Sequence, residues 1–150
     1  LPGANAPDVS EYVLQANAQQ LWEAEGSFPT GRRVDIPPEL DFRRPRAVGA
    51  TALDHVFAGV SGPAVDGLTE VATLSHPNAV GRLRVLADGS FRDLVLFTPA
   101  HRHAVAIEPY SCSADASNLQ AKGVDSGWRV IPPGGAWGSA VEYRYEPAGV

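Results

Sequence analysis

An acidic side chain ends an otherwise apolar, strand-like run near residue 108. Residues 104–107 are Ala, Val, Ala and Ile, and Glu108 follows them directly. Because side chains alternate between the two faces of a strand, Ala104 and Ala106 share a face with Glu108 and leave space above it. Pro109 cannot donate to a strand ladder and is expected to end the strand. The residues alone favour a solvated Glu108 over a Glu108 inside a ligand pocket, because Glu is rarely buried unless it is paired.

Asp54 and a histidine pair are the other polar groups whose type and spacing could do chemistry. Asp54 starts an apolar segment, where an aspartate can cap a turn or bind hydroxyl groups, and the residues alone favour the turn. His101 and His103 would share one face of a strand and could form a metal pair. No Asp, Glu or Cys stands at a supporting spacing, so a surface loop is favoured and no metal site is expected.

Length, composition and charge exclude several classes of protein. A chain of 150 residues with 44% apolar and 19% charged residues suits one soluble globular domain. The net charge of −5 and the scattered arginines argue against nucleic acid as a partner. No apolar run approaches the roughly 20 residues of a membrane span, and the lone Cys112 excludes an intramolecular disulfide. The N-terminal residues do not form a signal peptide, and we expect a cytoplasmic protein.

The order of apolar runs and turn residues predicts an all-β protein, built as an antiparallel β-sandwich. The predicted strands are residues 9–16, 20–23, 32–36, 69–75, 80–86, 91–98, 103–108, 127–131 and 141–145. Residues 28–31 are predicted as a turn, and residues 113–122 as a short helix. The strands 91–98 and 103–108 are expected to be central and covered on both faces.

The sequence resembles the aldose 1-epimerases, or galactose mutarotases, over residues 28–134. The resemblance rests on the order and spacing of short motifs rather than on any one of them. These motifs are Phe28-Pro-Thr-Gly31, Leu40-Asp-Phe-Arg43, Ala52-Leu-Asp-His-Val-Phe57, Leu96-Phe-Thr-Pro99, Ala106-Ile-Glu-Pro-Tyr110, Asp115-Ala-Ser-Asn118 and Ile131-Pro-Pro-Gly134.

The resemblance implies a fold, a reaction and two site residues. The fold is a galactose mutarotase-like β-supersandwich, of which residues 1–150 would form the C-terminal part of a single domain. Glu108, in the Glu-Pro motif, would be the catalytic base, and Asp54 would contact sugar hydroxyls. The substrate would be a free aldose such as a hexose, and no cofactor or metal would be required.

The family's general acid is a histidine in a His-Pro-Tyr-Phe segment, and this sequence has no such segment. We therefore expect the chain to be partnered either by the missing N-terminal half of such a domain or by another copy of itself, through exposed strands. An epimerase is the leading hypothesis. The second is a non-catalytic carbohydrate-binding relative, in which Asp54 and an aromatic residue such as Trp22, Phe57 or Tyr110 hold a sugar. The third is a structural β-domain that shares the fold alone.

Overall fold

The chain folds into two antiparallel β-sheets packed face to face, with one short α-helix. The computed structural model describes residues 8–147, so the start of the segment considered for a signal peptide lies outside the described residues. The strands are β1 Val13–Ala16, β2 Gln20–Glu25, β3 Phe28–Asp35, β4 Arg46–Ala47, β5 Asp54–Ala58, β6 Ala64–Val65, β7 Leu68–Ser75, β8 Arg82–Ala87, β9 Asp93–Phe97, β10 Ala106–Tyr110 and β11 Val141–Glu146. The helix α1 spans Ala116–Ala121, and two 3₁₀ helices span Val9–Glu11 and Pro38–Leu40. Within residues 8–147, no helix is long and apolar enough to cross a membrane.

The two sheets enclose one main hydrophobic core. Sheet A has the strand order β11-β8-β7-β1-β4, with β6 paired to β7, and sheet B has the order β10-β9-β5-β2-β3. Side chains from both inner faces meet between the sheets, among them the fully buried Leu14, Val85, Phe57, Leu94 and Leu96. Burial of each such side chain stabilises the fold by about 1.5–3 kcal/mol. This packing decides which face of each strand is left to point outward.

Short turns with left-handed backbone close two of the hairpins. Asp66 and Gly67 join β6 to β7 with φ values of 52° and 84°, as in the type I′ turn that an Asp-Gly pair favours. Gly26, at φ 61°, sits in the turn between β2 and β3. A glycine adopts this conformation without the steric cost that a side chain would add.

The turn predicted at residues 28–31 is wrong. The structure places the turn just before it, and β3 begins at Phe28 and runs through Pro29 and Gly31. Since β3 is at the edge of sheet B, a proline with no N–H and a glycine are tolerated there.

The predicted strand 103–108 is displaced along the sequence. It begins at Ala106, and it continues through Pro109 to Tyr110 instead of ending at Glu108. Within the described residues β10 is an edge strand, paired with β9 alone. Proline is compatible with an edge strand, because its nitrogen can face away from the neighbouring strand. The expectation that this strand is central is therefore wrong.

The strand predicted at residues 127–131 is also wrong. Residues 128–140 contain neither strand nor helix, and all of them are exposed. A strand requires a neighbour to satisfy its backbone hydrogen bonds, and no strand among residues 8–147 pairs with this segment. The predicted helix is present but shorter, as α1.

Candidate functional site

Three neighbouring strands of sheet B present nine side chains on its outer face, in three rows across the sheet. Alternation along β5, β9 and β10 turns Phe57, Leu96 and Ile107 into the core, and it turns the intervening residues outward. We call these nine residues the outer grid. Its rows are Asp54–Phe97–Ala106, then Val56–Val95–Glu108, then Ala58–Asp93–Tyr110.

The outer grid brings Asp54 and Glu108 to the same face of the sheet. Asp54 is the exposed first residue of β5, and Glu108 is half-buried on β10. Strands lie about 4.8 Å apart and two residues along a strand span about 6.8 Å, so the two residues, which are two strands and one row apart, are separated by about 12 Å. A pyranose ring and its hydroxyl groups fit such a span. Asp54 begins β5, and no hydrogen bond to its carboxylate is present among residues 8–147, so the turn-capping role favoured from its local sequence is wrong.

Glu108 is held by a neighbour on its own strand. The hydroxyl of Tyr110 donates a hydrogen bond of 3.2 Å to Oε2 of Glu108. Both residues face outward, because two positions along a strand return to the same side. Burial raises the pKa of the Tyr110 phenol, and the negative charge of Glu108 and the hydrogen bond to it raise that pKa further. The contact restricts the orientation of the Glu108 carboxylate.

The raised pKa of Tyr110 gives a first prediction. We expect the Tyr110 phenol to be more than half protonated at the pH where an ordinary tyrosine is half ionised, about 10, because its pKa is raised. Glu108→Gln should lower the pKa of Tyr110, because the substitution removes the negative charge that opposes ionisation. The pKa is measured from phenolate absorbance against pH, with Tyr110→Phe identifying the transition that belongs to this residue. An unchanged Tyr110 transition in Glu108→Gln would contradict the contact.

One end of the outer grid is covered by the segment 111–127, which contains α1. Leu119 of this segment packs against Trp22 and Ala58. An ion pair between Arg92 and Asp125, with N–O distances of 2.7 and 2.6 Å, joins the segment to the sheet. Ala58 and Asp93 of the third row are therefore buried and Tyr110 is half-buried, while the rows that contain Asp54 and Glu108 remain accessible.

A third carboxyl group, that of Asp93, lies beneath this cover. Asp93 is 1% exposed, and neither carboxyl oxygen has a hydrogen-bond partner among the described residues. The indole N–H of Trp22 interacts with the carboxyl but does not meet hydrogen-bond geometry. Burial raises the pKa of Asp93, against smaller lowering effects of Trp22, Arg92 and Arg33. Asp93 is not predicted from the sequence as a site residue, because no local pattern marks an aspartate as buried.

A cavity of about 650 Å³ opens beside Asp54. Its lining includes Asp54, Val56, Trp22 and Ala114, and it extends over β2 and β3. The volume is within the range of small-molecule sites. Glu108 is not part of this lining; it is half-buried in the second row of the outer grid.

Three other residues considered from the sequence lie away from the accessible rows. Phe57 is 1% exposed and belongs to the core between the sheets, so it cannot contact a sugar. His101 and His103 stand on a loop before β10 with their rings stacked at 5.6 Å. Among residues 8–147, no group of three or more His, Cys, Asp or Glu side chains is placed to hold a metal ion.

Comparisons with known proteins support the fold. No protein-family model matches the chain. An uncharacterized protein of Escherichia coli K12, YihR, is 27% identical over 115 residues, which cover 76% of this chain and 35% of YihR. The crystal structure of a galactose mutarotase-like protein from Clostridium acetobutylicum superimposes with a TM-score of 0.79 at 17% identity, over 95% of this chain and 44% of that one. The chain thus spans less than half the length of either protein. The predicted all-β class is confirmed, and the fold of the chain is a galactose mutarotase-like β-sandwich.

Proposed function

We propose that this chain carries the catalytic base of an aldose 1-epimerase, which interconverts the α and β anomers of a free aldose. The supporting observation is the placement of Glu108 and Asp54 on one accessible face of sheet B, with apolar side chains between them. Glu108 is the base and Asp54 binds sugar hydroxyls. The galactose mutarotase-like fold is consistent with a carbohydrate ligand, although a fold alone does not define an activity.

The reaction requires two proton transfers at the anomeric centre. Glu108 removes the proton of the anomeric hydroxyl, and the bond between the anomeric carbon and the ring oxygen breaks as an acid protonates that oxygen. The open-chain aldehyde rotates, and the same groups act in reverse when the ring closes. Each group supplies about 10²- to 10⁴-fold in rate. The hydrogen bond from Tyr110 orients the base before the sugar binds.

We propose that the acid is supplied by polypeptide other than residues 8–147 of the same copy of the chain. None of the nine residues of the outer grid is a histidine, and the chain corresponds to 44% of the galactose mutarotase-like chain. The supplier is either another part of the same domain or a second copy of this chain.

Exposed apolar side chains near one edge of sheet A support a partner. Trp128, Ile131 and Trp137 are exposed in the segment 127–140, and Tyr143 and Tyr145 are exposed on the edge strand β11. Large exposed apolar side chains that follow one another along one stretch of the chain are consistent with an interaction surface. We propose that this surface binds the polypeptide that carries the acid.

A carbohydrate-binding protein without catalysis is the second candidate. It is favoured by the lack of a histidine in the outer grid. Polarimetry on freshly dissolved α-D-galactose and α-D-glucose, combined with a binding titration, separates the two functions. An epimerase accelerates the approach to anomeric equilibrium, whereas a binding protein shows saturable binding with no acceleration. The absence of both would refute a carbohydrate function.

Asp54→Ala should weaken sugar binding, because it removes a charged acceptor from hydroxyl groups. Charge-assisted hydrogen bonds contribute about 1.5–3 kcal/mol, so we expect KM to rise by about 10- to 150-fold. Stability should not change, since Asp54 is exposed. The matched control is Glu25→Ala, which removes an exposed carboxylate from β2 of the same sheet. Equal KM values for both variants and the wild type would exclude Asp54 from the site.

A further inference from the structure

Phe97 is an exposed aromatic residue in the middle of the first row of the outer grid. Its side chain is 37% exposed, and it stands between Asp54 on β5 and Ala106 on β10. Single exposed apolar residues are common on protein surfaces and need no explanation by themselves. The position of Phe97 beside the two site carboxylates distinguishes it.

The register places the Phe97 ring within reach of both carboxylates. Directly opposed residues have Cβ atoms about 5 Å apart, and diagonal neighbours are about 7–8 Å apart. Asp54 is directly opposed to Phe97, and Glu108 is its diagonal neighbour, next to the small Ala106. An alanine leaves the space above β10 open on the side of the ring that faces Glu108.

The apolar surface continues from Phe97 into the second row. Val95 and Val56 are half-buried and lie side by side next to Phe97 and Asp54. The two accessible rows therefore form an apolar strip, with the Asp54 carboxylate on one side of it and the Glu108 carboxylate on the other. A pyranose is likewise divided into polar and apolar parts. Its hydroxyl groups project around the rim of the ring, while several C–H bonds share one face. The face of an aromatic ring is electron-rich and attracts such weakly positive C–H edges.

We propose that Phe97 is the platform on which the C–H face of a pyranose stacks, and that it sets the orientation of the sugar between Asp54 and Glu108. This inference rests on the proposed carbohydrate function. It names the substrate class as cyclic aldoses that have adjacent C–H bonds on one ring face without a bulky axial substituent there. Phe97 is a specificity-determining residue and takes no part in proton transfer.

Proton NMR of D-galactose and D-glucose with the wild-type protein tests the inference. Ring current from Phe97 should shift the C–H resonances on the stacked face upfield, and Phe97→Ala should abolish that shift. Phe97→Ala should also weaken binding by about 3- to 10-fold, as expected for loss of an aromatic contact, while Phe97→Trp should retain both effects. The matched control is Phe28→Ala, since Phe28 is 63% exposed on β3 at the far edge of the same sheet.

The outcomes separate this inference from the proposed function. Sugar binding by the wild type, with an upfield shift that is lost in Phe97→Ala and kept in Phe28→Ala, supports the platform. Equal binding and equal shifts in the wild type and Phe97→Ala overturn the platform and leave the epimerase proposal in place. Neither binding nor mutarotation by the wild type overturns both. Circular dichroism of Phe97→Ala verifies that the fold is retained.

Discussion

Glu108→Gln is expected to lower kcat for mutarotation by at least about 100-fold, as for loss of a general base. The amide cannot accept the proton of the anomeric hydroxyl, yet it has nearly the volume of the carboxylate. Its oxygen can still accept the hydrogen bond from Tyr110, so the fold and the local geometry should persist. The effect should appear in kcat more than in KM, because Asp54 remains to bind the sugar.

Polarimetry on a fresh α-aldose measures this effect in the complete protein, together with whatever polypeptide supplies the acid. Glu25→Gln is the control, because it makes the same change at an exposed position on β2. Thermal unfolding of both variants establishes that any loss of rate is not a loss of fold. Near-normal turnover by Glu108→Gln would remove Glu108 from the role of base.

The isolated chain of 150 residues should accelerate mutarotation little beyond the rate given by a free carboxylate. A general acid contributes about 10²- to 10⁴-fold, and that factor should be missing when the acid-bearing polypeptide is absent. The exposed aromatic side chains on residues 128–145 should then promote self-association, because they lack a partner to cover them.

Polarimetry at matched carboxylate concentrations, with acetate as the reference, measures the rate of the isolated chain. Sedimentation equilibrium measures its association. A stable monomer with a rate far above that of acetate would refute both the partner and the external acid. The acid would then have to come from a residue of this chain, and Tyr110 would be the first to replace because it contacts Glu108.

Much of the architecture could be predicted from the sequence, because hairpins are local. The strands β7 and β8 are near in sequence and pair with each other, and their apolar runs were recognisable on either side of a turn. The outward position of Glu108 was also predictable, since alternation places it opposite to the buried Ile107. The roles of Glu108 and Asp54 are implied by the resemblance of their short motifs to those of the aldose 1-epimerases, and not by the residues alone.

The arrangement of the site depended on contacts between residues that are distant in sequence. The pairing of Asp54 with Phe97 joins β5 to β9, and no local pattern specifies which strands become neighbours or in which register. The run 94–97 is apolar throughout, so its composition does not show that Phe97 is exposed while Leu96 is buried. Likewise, Asp93 is buried because the segment 111–127 packs over its end of the sheet. The sequence by itself determined the all-β class and supplied the carboxylates and aromatic rings of the candidate site. The tertiary structure decided which of these groups share an accessible face, because strand register and covering segments are set by long-range packing.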